Sequence, residues 1–473
     1  MRRTKIVCTL GPSTDSEDTV RALMLSGMNI ARINVSHGTL ADHRMRIDMV
    51  KKVRKELNFP VGLLLDTKGP EIRTGKFEPP NVFLKTGQTF ILTTRNISGN
   101  DKICTITLKS IVNDISEGTR ILIDDGLIEL RADRLEKENV VCTVISGGNL
   151  SSCKGVNIPD IKTSLPFISL KDAVDLKFAA EQSFDYVAAS FTRSKKDIVM
   201  LRSELEKNNC SKVRIIAKIE NSEGLKNVDD IIKVSDGIMI GRGDLGVEIP
   251  IEDVPIIQKR IVKKATQAGK QVIIATQMLE SMIKNPRPTR AECTDVANAI
   301  YDGTGAIMLS GETASGSHPV DALRVMHKIA ERTEREIDYK TRFKNTEIVQ
   351  KLDITSAISH AICTTAHDLA ASAIIAFTKA GRTARMVSRF RPDCMIIGAT
   401  SDKTVLRQMS LFWGVVPMLI DKDVSDENLF DHIVHASLAQ NLLSKGSLVV
   451  VAASISGGGT DDFTNLIKVH SAQ

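Results

Sequence analysis

The stretch VRIIAKIENSEGLKNVDDIIKVSDGIMIGRGD, residues 213–244, contains the unit that decides the fold. A short apolar run, VRIIA, ends abruptly in polar residues, a helical segment follows, and a second apolar run, GIMI, ends in Gly-Arg-Gly-Asp. Strands that are apolar throughout, without alternating polar residues, are typical of parallel sheets buried on both faces. The stretch therefore predicts two parallel strands joined by a helix.

The same unit recurs over the first 340 residues of the chain. Most of the apolar runs follow one another at the spacing of one strand, one helix and their loops. The eight runs are TKIVCTLGP, MNIARINVSHG, VGLLLDTKG, DYVAASFTR, VRIIAKIEN, DGIMIGRGD, KQVIIATQM and GAIMLSGET. Eight such units in series predict a (β/α)8 barrel made of residues 1–69 and 169–340.

A long insertion separates the third run from the fourth. Within it, QTFILTTR, KICTITL, TRILIDDGLIELRAD and NVVCTVISGG are β-branched segments separated by Gly, Asn and Asp turns. Residues 70–168 are therefore predicted to form a small β domain at the barrel mouth, where it could act as a lid.

Residues 341–473 are predicted to form a second α/β unit. The segments ASAIIAFT, CMIIGAT, GVVPMLI and SLVVVAA are strand-like and are separated by helical stretches. This arrangement is typical of an open sheet covered by helices.

The composition excludes several classes of protein. Hydrophobic residues make up 42% of the 473 residues and charged residues 25%, which is ordinary for a soluble globular protein. The net charge of +6 is spread along the chain, so it does not indicate nucleic-acid binding. No apolar run is long enough for a membrane span or a signal-peptide core. The eight cysteines form no Cys-x-x-Cys motif, so we expect reduced thiols in a cytoplasmic protein.

Charged and polar residues follow the predicted barrel strands, where the functional groups of a (β/α)8 barrel lie. Cations and carboxylates therefore converge on one end of the barrel. The residues that follow strands two, three and five to eight are Arg32, Asn34, Ser36, His37, Asp66, Thr67, Lys68, Glu71, Arg73, Lys218, Glu220, Asn221, Arg242, Asp244, Thr276, Gln277, Ser310 and Glu312.

Two carboxylates, Glu220 and Asp244, leave neighbouring strands. Hard oxygen ligands of this kind suit Mg2+, which keeps open positions for substrate oxygens. Lys218 lies two residues before Glu220, so both side chains point to one face if the strand continues. An ammonium beside a metal can stabilise charge that develops on a phosphoryl or enolate oxygen. The alternative is a partly buried Lys–Glu ion pair that closes the top of the barrel.

The side chains of Asn34, Ser36, Asp66 and Thr67 all carry oxygen and leave the adjacent second and third strands. One carboxylate with several neutral oxygens could hold a monovalent cation. From spacing alone, ordinary hydrogen bonding within the loops is the better explanation of these residues.

The C-terminal unit contains a separate candidate site in AFTKAGRTAR. A strand ends there, and a helix follows the loop; this arrangement resembles an anion cradle at a helix N-terminus. The residues concerned are Thr378, Lys379, Gly381, Arg382 and Thr383. SISGGGTDDFTN could add a second glycine-rich loop. We interpret these segments as a regulatory phosphate site, with two flexible surface turns as the alternative.

The motif GRGDLG satisfies the spacing of a dinucleotide fingerprint, but its context does not. It closes the sixth barrel strand instead of opening a Rossmann unit, and no acidic residue ends a second strand about 20 residues later. An adhesion function for Arg-Gly-Asp is excluded because nothing indicates secretion. We expect the glycines to let the backbone approach a small carboxylate closely.

Taken together, several motifs resemble the pyruvate kinase family over nearly the whole chain. They are RTKIVCTLGP, MNIARINVSHG, DTKGPEIRTG, KGVNIP, KIENSEG, GRGDLGVEIP, ATQMLESM, PTRAE, DVANAIYDG and MLSGETA. The resemblance implies a (β/α)8 barrel, a β-barrel lid inserted after the third strand and a C-terminal α/β regulatory domain. It also implies phosphoryl transfer from phosphoenolpyruvate to ADP, giving pyruvate and ATP at the end of glycolysis.

The resemblance assigns roles to individual residues. Glu220 and Asp244 would hold Mg2+ or Mn2+, and Lys218 and Arg32 would neutralise the phosphoryl group. The backbone at Gly243 and Asp244 would bind the substrate carboxylate, and Thr276 would help to deliver a proton to the enolate carbon. The residues that match K+ ligands are Asn34, Ser36, Asp66 and Thr67, and Glu71 matches the position that accompanies K+ dependence. The nucleotide-side residues are Asn34, His37, Arg73 and Lys154.

The resemblance further implies a homotetramer activated by a phosphorylated metabolite. Gly241 and Asp160 depart from the family pattern, which commonly has alanine and glycine there. The last loop is also atypical, so fructose 1,6-bisphosphate, AMP and a sugar monophosphate all remain possible effectors. The sequence ends soon after this loop, so we expect no additional phosphohistidine-type domain.

Two competing functions make different demands on these residues. A Mg2+-dependent lyase or aldolase acting on pyruvate enolate would use the metal site but would not need the lid, His37, Arg73 or Lys154. A catalytically silent binding protein would be expected to lack one of Lys218, Glu220, Asp244 and Thr276, and all four are present.

Overall fold

The structure is a computed structural model that describes residues 2–344, 354–421, 429–453, 464 and 466–472. These residues form 21 β-strands and 17 α-helices, numbered below in chain order. Within the described part of the chain, no helix combines the length and the apolar character needed to cross a membrane.

The first domain is a closed barrel of eight parallel strands, in the order β1-β16-β15-β14-β13-β12-β3-β2. All eight apolar runs form these strands, so the predicted fold class is confirmed. The strands are Lys5–Leu10 (β1), Ile30–Asn34 (β2), Gly62–Asp66 (β3), Tyr186–Ala189 (β12), Arg214–Ile219 (β13), Gly237–Gly241 (β14), Gln271–Ala275 (β15) and Ala306–Leu309 (β16).

Helices surround the barrel, and several of them begin at polar capping residues. Thr39 and Asp42 form a capping box at the start of α2, and Asn58 ends that helix in the left-handed conformation. The helices are Glu17–Leu25 (α1), Leu40–Leu57 (α2), Leu170–Glu181 (α4), Lys195–Lys207 (α5), Ser222–Lys226 (α6), Val228–Val234 (α7), Arg242–Glu248 (α8), Val254–Gln267 (α9), Arg290–Asp302 (α10), Gly311–Ala314 (α11), Pro319–Arg335 (α12) and Tyr339–Lys344 (α13).

The insertion between β3 and α4 is a domain of curled β-sheet with its own apolar core, built around residues such as Phe90, Leu130 and Val144. Its sheets have the orders β11-β7-β8-β9-β5-β6 and β10-β4. The elements are Asn81–Leu84 (β4), Thr89–Thr93 (β5), Ile103–Thr105 (β6), Ile111–Asp114 (α3), Arg120–Ile123 (β7), Ile128–Leu135 (β8), Asn139–Ser146 (β9), Gly148–Ser151 (β10) and Val156–Asn157 (β11).

The C-terminal domain is an open sheet in the order β19-β18-β17-β20-β21, parallel except for β21. The four predicted strands are present, and β21 is an additional one. The elements are Ile354–Asp368 (α14), Ala373–Phe377 (β17), Arg382–Arg389 (α15), Met395–Thr400 (β18), Lys403–Met409 (α16), Val415–Leu419 (β19), Leu429–Ala439 (α17), Leu448–Ala453 (β20) and Leu466–Ser471 (β21).

The C-terminal domain closes the base of the barrel. Interior barrel residues such as Ile216 and Met239 belong to one apolar cluster with Met409 and Phe412 of the C-terminal domain. Tyr186, at the start of β12, donates a hydrogen bond to the Gln408 carbonyl at 2.5 Å. Because the base is packed with side chains, the large opening of the barrel lies at the opposite end, where the strands finish.

Candidate active site

A cavity of about 410 Å³ opens at the carboxyl ends of the barrel strands, beneath the inserted domain. Nearly all the residues that the sequence assigned to catalysis, substrate, nucleotide or cations line it. They are Arg32, Asn34, Ser36, His37, Asp66, Thr67, Glu71, Arg73, Lys154, Lys218, Glu220, Asp244 and Thr276. Gly243 is adjacent, and its N–H donates to the Thr276 hydroxyl at 2.9 Å.

A buried network of charges forms the centre of the cavity. Asp66 is 1% exposed and pairs with Arg32 Nε at 2.7 Å and with Lys218 Nζ at 3.1 Å. Lys218 also pairs with Glu220 at 2.9 Å. The Lys–Glu ion pair that was the alternative to a metal site therefore exists, and both of its residues line the cavity.

The network keeps these groups ionised. Burial alone would lower the pKa of Lys218, but the charges of Asp66 and Glu220 more than offset it and raise that pKa above its usual range. Burial alone would raise the pKa of Asp66, but Arg32 and Lys218 hold it below its ordinary value. The cavity thus presents a fixed ammonium and a fixed guanidinium to a ligand.

Ser190 is part of this network, although none of the site residues predicted from the sequence follows the fourth barrel strand. Its hydroxyl donates to the Thr67 carbonyl at 2.6 Å and accepts from Lys218 Nζ at 2.8 Å. The sequence signal for Ser190 was its position directly after β12, because each neighbouring strand contributes a polar residue to the cavity at the same level of the barrel.

Glu220 and Asp244 form the candidate divalent-metal site. Glu220 Oε2 accepts from the Phe191 N–H at 2.9 Å, which fixes the carboxylate. Burial, followed by the charge of Glu220, raises the pKa of Asp244 to about 7, as expected for two carboxylates close together. Among the described residues there is no group of three or more His, Cys, Asp or Glu side chains suited to a metal. Two carboxylates nevertheless fit Mg2+, which commonly takes its other ligands from substrate and water.

Thr276 has an unusual backbone conformation. Its φ is 67° and that of Gln277 is 54°, in the left-handed region that non-glycine residues rarely occupy. Arg242 stabilises this turn, because its guanidinium donates to the Thr276 carbonyl at 2.7 Å and pairs with Asp295 at 2.7 Å. The turn directs the Thr276 hydroxyl toward Gly243. Arg242 therefore helps to fix the position of Thr276.

The candidate K+ ligands lie at the ends of β2 and β3. Asn34 and Asp66 are paired residues across these two parallel strands, and the Ser36 N–H donates to Asn34 Oδ1 at 3.1 Å. The Thr67 hydroxyl donates to the Ala188 carbonyl at 3.2 Å. One carboxylate and several neutral oxygens therefore border the same part of the cavity, a donor set that fits a monovalent cation.

The nucleotide-side residues connect the barrel with the inserted domain. Arg73 pairs with Glu71 and donates to the Cys153 carbonyl at 2.6 Å. Lys154 pairs with Asp124 at 2.9 Å. Asp124 and its neighbour Asp125 also line the cavity, although their segment, TRILIDDGLIELRAD, was assigned from the sequence only to β-structure. Two consecutive acidic residues followed by glycine were the signal.

The candidate effector loop lies between β17 and α15. Gly381 has a φ of 78°, and Thr378 and Thr383 are buried. The Thr383 hydroxyl accepts from the Thr464 hydroxyl at 2.9 Å. Lys379 and Arg382 occupy the same loop and helix start. Most of the second glycine-rich loop, residues 454–463, lies outside the described residues.

The structure accommodates both departures from the family pattern. A Cβ atom on Gly241 would lie 2.7 Å from Glu220 Oε1, so glycine leaves space for that carboxylate. Asp160 has a φ of 61°, a conformation that glycine adopts easily, and its carboxylate pairs with Lys226 at 3.0 Å.

Comparisons with known proteins agree with this architecture. Residues 1–323 match the family described as "Pyruvate kinase, barrel domain", and residues 356–470 match "Pyruvate kinase, alpha/beta domain". A pyruvate kinase from Clostridium acetobutylicum is 47% identical over 472 residues, covering 99% of both chains. Pyruvate kinases from Sporosarcina psychrophila and Geobacillus stearothermophilus are each 44% identical, covering 99% of this chain and 80% of theirs.

Proposed function

The chain belongs to the pyruvate kinase family of phosphotransferases, and on that basis we propose that it catalyses the last step of glycolysis with Mg2+ and K+ as cofactors. The observation that carries the proposal is the buried network of Arg32, Asp66, Lys218 and Glu220 beside Asp244, at the open end of the barrel. In the reaction, the bond between phosphorus and the enol oxygen of phosphoenolpyruvate breaks and a β-phosphate oxygen of ADP bonds to phosphorus. The resulting enolate takes up a proton at its methylene carbon, giving pyruvate.

Arg32 and Lys218 bind the transferring phosphoryl group. Their side chains are held by Asp66 before substrate arrives, at 2.7 Å and 3.1 Å. Charges that are fixed in advance do not need to reorganise when charge develops on the equatorial oxygens. Phosphoryl transfer depends mainly on such positioning and charge neutralisation.

Glu220 and Asp244 hold the divalent cation, which supplies Lewis-acid stabilisation of substrate and phosphoryl oxygens. The backbone at Gly243 and Asp244 binds the substrate carboxylate. Thr276 lies next to Gly243 and helps to deliver the proton to the enolate carbon through its hydroxyl or a neighbouring water.

Asn34, Ser36, Asp66 and Thr67 hold K+, and Glu71 supports this dependence by adding negative charge nearby. Asn34, His37, Arg73 and Lys154 bind the nucleotide. Because Lys154 belongs to the inserted domain and Arg73 to its connection, closure of that domain as a lid would complete the nucleotide site and exclude water.

The C-terminal domain regulates the enzyme by binding a phosphorylated effector at Thr378, Lys379, Gly381, Arg382 and Thr383. Arg214 supports a link to the active site, because it donates to the Ala380 carbonyl at 2.6 Å and begins β13, the strand that carries Lys218. The same proposal includes a homotetrameric assembly and a cytoplasmic location. It also includes three domains with the limits 1–69 with 169–340, 70–168 and 341–473.

The direct test is pyruvate formation from phosphoenolpyruvate and ADP, coupled to lactate dehydrogenase, with Mg2+ and K+ present or omitted singly. We expect turnover that requires ADP and both cations. A folded sample without ADP-dependent turnover would refute the proposal, whereas equal activity without K+ would refute only the assignment of the K+ ligands and Glu71.

A further inference from the structure

One buried carboxylate contacts both chain segments that join the barrel to the inserted domain. Asp172, in the first turn of α4, is 2% exposed. Its Oδ2 accepts from the Ser169 N–H at 3.0 Å and from the Ser169 hydroxyl at 2.6 Å, at the end of the returning segment. Its Oδ1 accepts from the Gly69 N–H at 3.1 Å, in the outgoing segment.

The second contact is not needed for helix capping. The capping box is completed between Ser169 and Asp172: the Ser169 hydroxyl accepts from the Asp172 N–H at 3.1 Å, and Asp172 Oδ2 accepts from the Ser169 N–H, which leaves Oδ1 outside the box. Gly69 lies 103 residues earlier in the chain. In the capping box of α2, by comparison, the hydrogen bonds of Asp42 go to Thr39, three residues away. Asp172 therefore combines a local cap with a long-range connection.

The outgoing segment is tightly positioned where Asp172 meets it. Gly69 has a φ of 67°, and a Cβ atom at this position would lie 2.7 Å from the Ser190 carbonyl oxygen. A side chain would thus force the segment away from Ser190, which belongs to the charge network of the active site. The turn at Gly69 is thus fixed on one side by the hydrogen bond from its N–H to Asp172, and on the other side it lies close to the Ser190 backbone.

The same helical turn also contacts the loop that carries the proposed cation and nucleotide ligands. Lys171 Nζ donates to the Val35 carbonyl at 2.8 Å and to Asp175 at 2.6 Å. Val35 lies between Asn34 and Ser36 in the sequence. The start of α4 is therefore connected to both lid segments and to this loop.

We propose that Asp172 is a positioning residue that clips the two segments joining the lid to the barrel and so fixes the axis about which the lid closes. This inference rests on the proposed function of the inserted domain as a lid. With the clip in place, Lys154 returns to one position over Lys218 at each closure. Without it, the two segments separate independently, and the nucleotide-side residues meet the barrel in varied geometries.

The test compares Asp172→Ala with Ser169→Ala, which weakens the same helix cap but retains the carboxylate that binds Gly69. For Asp172→Ala we expect the KM for ADP to rise at least about tenfold, or about 1.4 kcal/mol, because the nucleotide-side residues would no longer meet the barrel in one geometry and would bind ADP less well. The KM for phosphoenolpyruvate, which binds within the barrel, should change by less than about twofold. Ser169→Ala should stay within about twofold of the wild type for both substrates.

Hydrogen–deuterium exchange provides a readout that helix capping alone would not change. Faster exchange at the Gly69 amide in Asp172→Ala, but not in Ser169→Ala, supports the clip. Equal KM values for ADP in the two variants, or unchanged exchange at Gly69, would overturn it. If Asp172→Ala does not fold, Asp172→Asn, which keeps only one acceptor oxygen, is tested against the same criteria. Absence of ADP-dependent turnover in the wild type would instead refute the proposed function.

Discussion

Replacing Lys218 with methionine removes the central cation of the active site while keeping most of the side-chain volume. In the structure, Lys218 Nζ contacts Asp66 at 3.1 Å, Glu220 at 2.9 Å and the Ser190 hydroxyl at 2.8 Å. Three acceptors fix the ammonium, and an ammonium has three N–H donors. The charge is therefore in position before the phosphoryl group arrives.

The size of the effect follows from this geometry. A unit charge about 4 Å from a developing negative charge is worth about 4 kcal/mol at an effective dielectric constant of about 20. Removing one preorganised oxyanion donor from an enzyme costs about 10²–10³-fold in kcat. We therefore expect Lys218→Met to lower kcat by about 10²–10³-fold.

The assay is coupled pyruvate formation at saturating Mg2+, K+ and both substrates. Lys218→Met also leaves Asp66 and Glu220 with one partner fewer, and breaking a buried ion pair costs about 3–5 kcal/mol of stability. Lys5→Met is the matched control, because Lys5 is equally buried but lies at the base of the barrel, where it donates to the Val415 carbonyl at 2.7 Å. A kcat for Lys218→Met within about threefold of the Lys5→Met value would refute the role assigned to Lys218.

Three further predictions concern the cation site, the C-terminal domain and pH. Replacing K+ with tetramethylammonium should lower the wild-type kcat at least about tenfold. The Glu71→Lys variant should remain active without K+, because its ammonium supplies the missing charge. Equal losses of kcat in the wild type and in Glu71→Lys would contradict this prediction. Arg382→Ala should abolish activation by fructose 1,6-bisphosphate, AMP or a sugar monophosphate at low phosphoenolpyruvate. Its kcat at saturating substrate should stay within about twofold of the wild-type value. Retained activation would exclude Arg382 from the effector site. Burial lowers the pKa of Lys5 from its ordinary 10.5 to about 7, so the unfolded chain binds more protons between these values and wild-type stability should rise with pH there. The melting temperature of the wild type minus that of Lys5→Met should therefore increase between about pH 7 and pH 10. Parallel curves of melting temperature against pH would contradict this prediction.

The fold was predictable because its main signal is local. Each barrel strand is an apolar, β-branched run that ends in polar residues, and eight of them in series leave few alternatives. The edge strand β21 and the short strands β4, β10 and β11 were not predicted. Three of these four have no more than four residues, and three of the four residues in Gly148–Ser151 are polar or glycine.

The site was predictable to the extent that its residues directly follow strands. Lys218, Glu220 and Asp244 could be placed at one end of the barrel by topology alone. Asp124 and Asp125 reach the cavity only because the inserted domain folds over it, and their sequence indicates no more than a turn. The contact of Asp172 with Gly69 spans 103 residues, so the local pattern reveals only its capping function.

The balance of charge at the centre of the cavity is a physical reason why the proposed reaction would require added cations. Arg32 and Lys218 supply two positive charges, whereas Asp66, Glu220 and Asp244 supply up to three negative ones. Alone, this set is neutral or negative and would not attract a substrate that carries both a carboxylate and a phosphate. A divalent cation at Glu220 and Asp244 and a monovalent one near Asp66 would reverse the sign. The two cations would also bind the carboxylates of Glu220 and Asp66, which hold the Lys218 ammonium. The N–H groups of Lys218 would then be free to bind the phosphoryl oxygens.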